Sequence, residues 1–104
     1  MDFECDPKKA RSNYTKHGVD FAFATRVFAD PYALTDVDDN EDEERETIVG
    51  RIDLSVFVVV FTMRMGRTRI ITARKATRDE EKTYHEQFAQ DEGEDDEEED
   101  EQEP

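Results

Sequence analysis

Residues 55–80 read SVFVVVFTMRMGRTRIITARKATRDE. Residues 54–63 are apolar on both faces, as a central strand must be when both sides are covered. Met65-Gly66 supplies a hairpin turn. Residues 67–75 return as a second strand, studded with arginine, with Ile70 and Ile71 on opposite faces. Thr77 and Glu80 then form a T-x-x-E capping box that opens a helix running to about Gln90. Tyr84 and Phe88, at i and i+4, can dock that helix on the body, and His85 faces away from them.

Working back from this core, residues 47–53 read as a neighbouring strand with Gly50 at a bend or bulge. Residues 36–46 carry eight acids and almost no apolar side chain, the pattern of a solvated loop. Residues 32–35 fit a short strand, and residues 2–5 a short edge strand. Two helices precede the sheet. Asp6 caps the first, Pro7 takes its first position, and Gly18 closes it after His17. Ala10, Tyr14 and His17 share one face of it. Asp20 caps the second, residues 21–29, whose stripe is Phe21, Ala24, Val27 and Phe28, with Arg26 pointing away. Asp30-Pro31 ends it. The expected fold is α+β: two N-terminal helices and one C-terminal helix on one side of a three- to four-stranded, mostly antiparallel sheet.

The chain has 104 residues and a net charge of −15. That total hides an uneven distribution. Residues 91–104 carry −11 and residues 36–46 carry −7, leaving the rest at +3. The expected organisation is one folded domain over residues 1–90 and a disordered acidic tail over 91–104, which has no apolar residue to bury. A net-positive body leaves room for a polyanion site that the total charge would exclude. No stretch approaches the ~20 apolar residues of a membrane span, and the N-terminus lacks a signal-peptide pattern, so the expected location is cytoplasmic. The single cysteine, Cys5, has no metal-ligand spacing.

Six basic side chains, Arg64, Arg67, Arg69, Arg74, Lys75 and Arg78, fall within 15 residues. Arginine offers permanently charged, bidentate contacts to phosphate. The alternative is that these arginines merely balance the acidic loop. Strict alternation puts Arg69 and Arg74 on opposite faces. His17 is the candidate for proton transfer, with an unperturbed pKa of about 6.5; the alternative is a packed helix-end histidine. The sequence contains no phosphate-cradling glycine loop, no HExxH and no calcium-loop spacing. No metal or other cofactor is therefore expected, and chemistry would run on side chains alone. RNA permits that. Its 2′-hydroxyl attacks the adjacent phosphate if the protein removes that proton, stabilises the added charge and protonates the leaving 5′-oxygen.

Four pieces in order carry a family resemblance: FECDPKKARSNYTKHGVDFAFATRVFADP (3–31), the E-R…G-R segment (44–51), FVVVFT (57–62) and RIITARKATRDE (69–80). On these the chain resembles the BrnT family of ribonuclease toxins of bacterial toxin–antitoxin pairs, similar in fold to RelE toxins. The resemblance implies metal-independent endoribonuclease activity that inhibits translation. It implies a cognate BrnA-like antitoxin of the ribbon-helix-helix type, a hetero-oligomer with it, and contact with operator DNA only through it. Carried over position by position, its motif residues are Lys8, Lys16, His17, Arg51, Arg64, Arg69 and Arg74; of these Lys16, His17, Arg64 and Arg74 are the expected catalytic group, and Lys8, Arg51 and Arg69, with Arg67 and Arg78 of the basic cluster, the expected RNA contacts. Arg64 and Arg74 are the expected phosphate stabilisers, Lys16 and His17 the proton-handling end. Cys5 stands where the family typically has tryptophan, a packing change, and the acidic tail lies outside the family pattern. Competing with this are a non-catalytic protein- or nucleic-acid-binding module on the same fold and an acidic nucleic-acid mimic.

Overall fold

A computed structural model describes residues 1–38 and 44–93 of the chain. Five strands form one mixed sheet in the order β1-β5-β4-β3-β2. They are β1 (Phe3–Glu4), β2 (Leu34–Asp38), β3 (Arg45–Ile52), β4 (Ser55–Arg64) and β5 (Arg67–Lys75). The pairings among β2, β3, β4 and β5 are antiparallel, and β1 runs parallel to β5. The sheet is thus larger than the expected three to four strands. Both short edge strands read at residues 2–5 and 32–35 belong to it, as β1 and β2. The parallel direction of β1 departs from the antiparallel pattern, because no hairpin links it to β5. Strand β2 runs into the acidic segment because an outer strand needs backbone pairing rather than apolar side chains, and charge suits an open edge.

Helix α1 (Pro7–His17) begins and ends as its caps dictate. The Asp6 carboxylate accepts the Lys8 N–H, and Gly18 takes the left-handed conformation at φ 71° while donating to Tyr14 O. Helix α2 (Phe21–Ala24) is capped by Asp20 and tightens into a 3-10 turn over Thr25–Ala29. Helix α3 spans Arg78–Gly93. The Thr77–Glu80 capping box forms as expected: Glu80 N–H donates to Thr77 Oγ1, and Thr77 N–H donates to the Glu80 carboxylate. Helix α3 runs through positions 91–93, the start of the stretch expected as tail. The expected disorder of residues 94–104, most of the acidic loop (39–43) and the Phe88 side chain lie outside what the structure describes.

One face of the sheet meets α1, α2 and the 3-10 turn. Its core joins Val19, Phe21, Ala24 and Val27 to Ile48, Ile52, Phe57, Val59, Phe61, Ile70 and Ala73. Gly50 sits in unbroken β3–β4 register, so it marks no bulge. Its role is close approach: a Cβ there would stand 3.1 Å from Val27 O. Tyr14, on the face it shares with Ala10 and His17, is 59% exposed, whereas its neighbour Asn13 is 6% exposed. The three helices do not share one side. Residues directly paired across strands share a face. Val56 and Val58, opposite Arg51 and Val49, therefore face away from the main core, yet both are buried. Helix α3 contacts β3 and brings the buried Tyr84 to this second face.

Candidate functional site

The second face of the sheet gathers the arginines. Strand β5 carries one residue more than β4 can pair: Val60 lies opposite Thr72 and Phe61 opposite Ile70, leaving Ile71 as the extra position. A bulge shifts the alternation by one residue. The expectation that Arg69 and Arg74 oppose each other is therefore overturned. Arg64 pairs with Arg67, Thr62 with Arg69, and Val58 with Arg74. Arg51 pairs with Val56. All five arginines lie on the face that α1 and α2 leave uncovered. Residue type leaves no trace of this, because a bulge is a property of register.

The two ends of this face differ. At one end α3 covers it. The Arg74 guanidinium donates two hydrogen bonds to the Glu80 carboxylate, at 2.7 and 2.8 Å. Those bonds lower the Glu80 pKa to about 2, against the opposing effect of burial, and raise that of Arg74. Nearby, the Tyr84 hydroxyl donates to Asp30 Oδ2 at 2.6 Å. Asp30 also accepts the backbone N–H groups of Tyr32 and Arg51, so it caps the edge of β3 where β2 has not yet begun. Burial pushes the Asp30 carboxyl up, but these three bonds and the Arg51 charge outweigh it and hold it below its ordinary range. Burial and the hydrogen bond to Asp30 raise the Tyr84 hydroxyl to about 12. The Asp30–Tyr84 link was not visible in the sequence, where Asp30-Pro31 read only as a helix stop.

At the other end Arg64, Met65, Arg67 and Arg69 line an open cavity of about 380 Å³ with Glu4. Glu4 lies 3.3 Å from Arg69 and 3.7 Å from Arg67. Both arginines outnumber this one carboxylate, and among the described residues Arg64 has no ion-pair partner within 4 Å. The hairpin end thus presents net positive charge at a solvent-exposed tip. Such a group can contact a phosphate through several guanidinium N–H donors at once.

Lys16 and His17 sit elsewhere, at the C-terminal end of α1. They line a cavity of about 200 Å³ with Lys9, Ser12, Asn13, Ile71 and Thr72. The Asn13 carboxamide fixes this helix to β5. It donates to Ala73 O at 2.8 Å and to Val19 O at 3.1 Å, and accepts the Ala73 N–H at 3.1 Å. It completes the β5 edge where β1, paired only at Thr68 and Arg69, has ended. Thr72 links the regions, because it lines this cavity and also stands on the arginine face between Arg69 and Arg74. Lys8 is exposed near the N-terminus of α1, away from Lys16, and Arg78 is exposed in the first turn of α3. Neither lines the hairpin cavity or the cavity at the end of α1. Asn13 was the residue that sequence reasoning missed; its spacing between Lys9 and Lys16 on one helical side was the available signal.

No helix among the described residues is long and apolar enough to cross a membrane. The family model described as the ribonuclease toxin, BrnT, of type II toxin–antitoxin systems matches residues 5–80, well over half of the chain. No curated protein matches it.

Proposed function

The chain belongs to the BrnT family of ribonuclease toxins of type II toxin–antitoxin systems, and we propose that it is an endoribonuclease using its arginine face and the α1 end as one site. Membership of a type II system entails an antitoxin partner. In this reading that partner is a BrnA-like, ribbon-helix-helix-type protein that forms a hetero-oligomer with the chain and alone contacts operator DNA. Cleavage of RNA then inhibits translation until the antitoxin neutralises the site.

The observation that carries the reading is the bulge at Ile71, which puts Arg64, Arg67, Arg69 and Arg74 on one face and Thr72 between that face and the Lys16–His17 cavity. Attack of the 2′-hydroxyl adds negative charge to the scissile phosphate. Preorganised guanidinium groups offset that charge. Arg64 and Arg69 suit this role at the open end. Arg74 is oriented by Glu80 and reaches phosphate only by sharing or exchanging that carboxylate. His17 and Lys16 take the proton from the 2′-hydroxyl and return one to the 5′-oxygen. No metal is required for these steps.

The test uses the purified full chain, freed of antitoxin, on single-stranded RNA with and without a chelator. Cleavage should persist with chelator and leave 2′,3′-cyclic phosphate ends. Arg64→Ala and His17→Ala should each lower the rate by about 100-fold, the scale for losing one charge-stabilising or proton-handling group. RNA left intact by folded, antitoxin-free chain across a range of salt would remove the enzyme reading and leave a binding module.

A further inference from the structure

The cavity between α1 and β5 has a composition that proton transfer does not use up. Lys9, Ser12 and Lys16 fall at i, i+3 and i+7, so they line up on one side of α1. Asn13, beside them, anchors that side against Ala73. Ile71 and Thr72, at the bulge in β5, line the opposite wall. The result is two ammonium groups, two hydroxyls and an imidazole around about 200 Å³, and none of the residues lining it is acidic. A water occupies ~30 Å³ of liquid, so the space admits a phosphate with part of its sugar.

We propose that this cavity is a subsite for a backbone phosphate of the RNA, with Lys9, Ser12 and Thr72 as its binding groups. The assignment deepens the nuclease reading and rests on it for the identity of the ligand. Ammonium groups supply charge to a phosphate, and hydroxyls donate to its oxygens. Arg69, Thr72 and Arg74 pair with Thr62, Val60 and Val58, successive steps of two positions along β4, ~7 Å each at the rise of a strand. A phosphate held at Thr72 therefore has the arginine face immediately beside it. The RNA backbone would cross the edge of β5 from the arginine face into the cavity. His17, at the cavity wall, then lies next to the sugar between the two phosphates, where a proton must be moved.

The experiment titrates the full chain, isotopically labelled, with inorganic phosphate at low salt and follows backbone amide resonances. Shifts should concentrate on Ser12, Asn13, His17 and Thr72, and a Lys9→Gln/Ser12→Ala double variant should weaken phosphate binding at least tenfold with helicity unchanged. In parallel, the salt dependence of single-stranded RNA binding should flatten by about 0.7 in log–log slope, the loss of one phosphate contact. For cleavage, the double variant should raise KM with little change in kcat. Shifts confined to Arg64, Arg67 and Arg69, or a double variant that binds phosphate as the unaltered chain does, would overturn the subsite. The two proposals separate cleanly. Phosphate in the cavity of a chain that leaves RNA intact keeps the subsite and removes the nuclease. Cleavage with unchanged KM in the double variant keeps the nuclease and removes the subsite.

Discussion

The two faces of the sheet are built from the same strands and have opposite chemistry. Toward α1 and α2, alternate residues are Ile48, Phe57, Val59, Phe61 and Ile70, all buried. On the reverse, the same strands present Arg51, Arg64, Arg67, Arg69 and Arg74, with Val56, Val58 and Thr62 buried among them. The difference teaches where stability and chemistry reside. One face holds the fold through burial, so the other is free to carry charge. Substitutions should separate accordingly. Phe61→Ala removes a buried ring that also packs edge-on against Phe28 at 5.0 Å. It should cost about 3–5 kcal/mol in urea unfolding. Arg64→Ala, at the exposed tip of the other face, should stay within about 0.5 kcal/mol. Comparable losses from the two variants would mean that the faces do not divide the work this way.

The next test concerns the junction of the two faces. Asn13 is 6% exposed and satisfies both backbone groups of Ala73. Asn13→Ala leaves buried donors and acceptors without partners and should cost about 2–3 kcal/mol. Amide exchange at Ala73 should accelerate more than at Val59, deep in the same core. Equal acceleration at both would show general loosening instead of a detached α1–β5 seam. Because the seam holds Lys16 and His17 beside Thr72, the variant should also lose RNA cleavage beyond what its unfolded fraction explains.

What could be seen from residues alone follows the same division. Burial and capping are written in residue type. The apolar run at 54–63, the Asp6, Asp20 and Thr77 caps, the Gly18 stop and the Met65-Gly66 turn all appear in the structure where the side chains placed them. Register and edges are not written that way. The bulge at Ile71 reverses the predicted facing of Arg69 and Arg74, and no side chain announces it. Strand β1 lies within the edge strand read at residues 2–5, but its parallel pairing with β5 leaves no mark in the side chains. The buried position on α1 is held by a polar carboxamide, Asn13, which satisfies backbone groups and which apolar periodicity does not register. The basic cluster was therefore legible as a list, and its common surface was not.

The smallest expected effect lies where α3 closes the arginine face. Glu80 holds Arg74 bidentately, and its pKa falls from the ordinary 4.5 to about 2 in the folded chain, chiefly through those hydrogen bonds. A carboxylate depressed by folding stabilises above its unfolded pKa. That contribution is complete above about pH 4.5 and disappears as pH falls toward 2. The two side chains are about a third exposed, at 36% and 33%. Solvent screening therefore limits the pair to about 0.5–1 kcal/mol. Glu80→Gln should lose that amount at neutral pH and show a flatter decline of stability between pH 4.5 and 2. A double-mutant cycle with Arg74→Ala isolates the coupling, since both variants lose the same pair. An acid limb identical to that of the unaltered chain, together with zero coupling, would mean that the closed end of the face is open in solution and that Arg74 stands with Arg64 and Arg69 as a freely exposed phosphate contact.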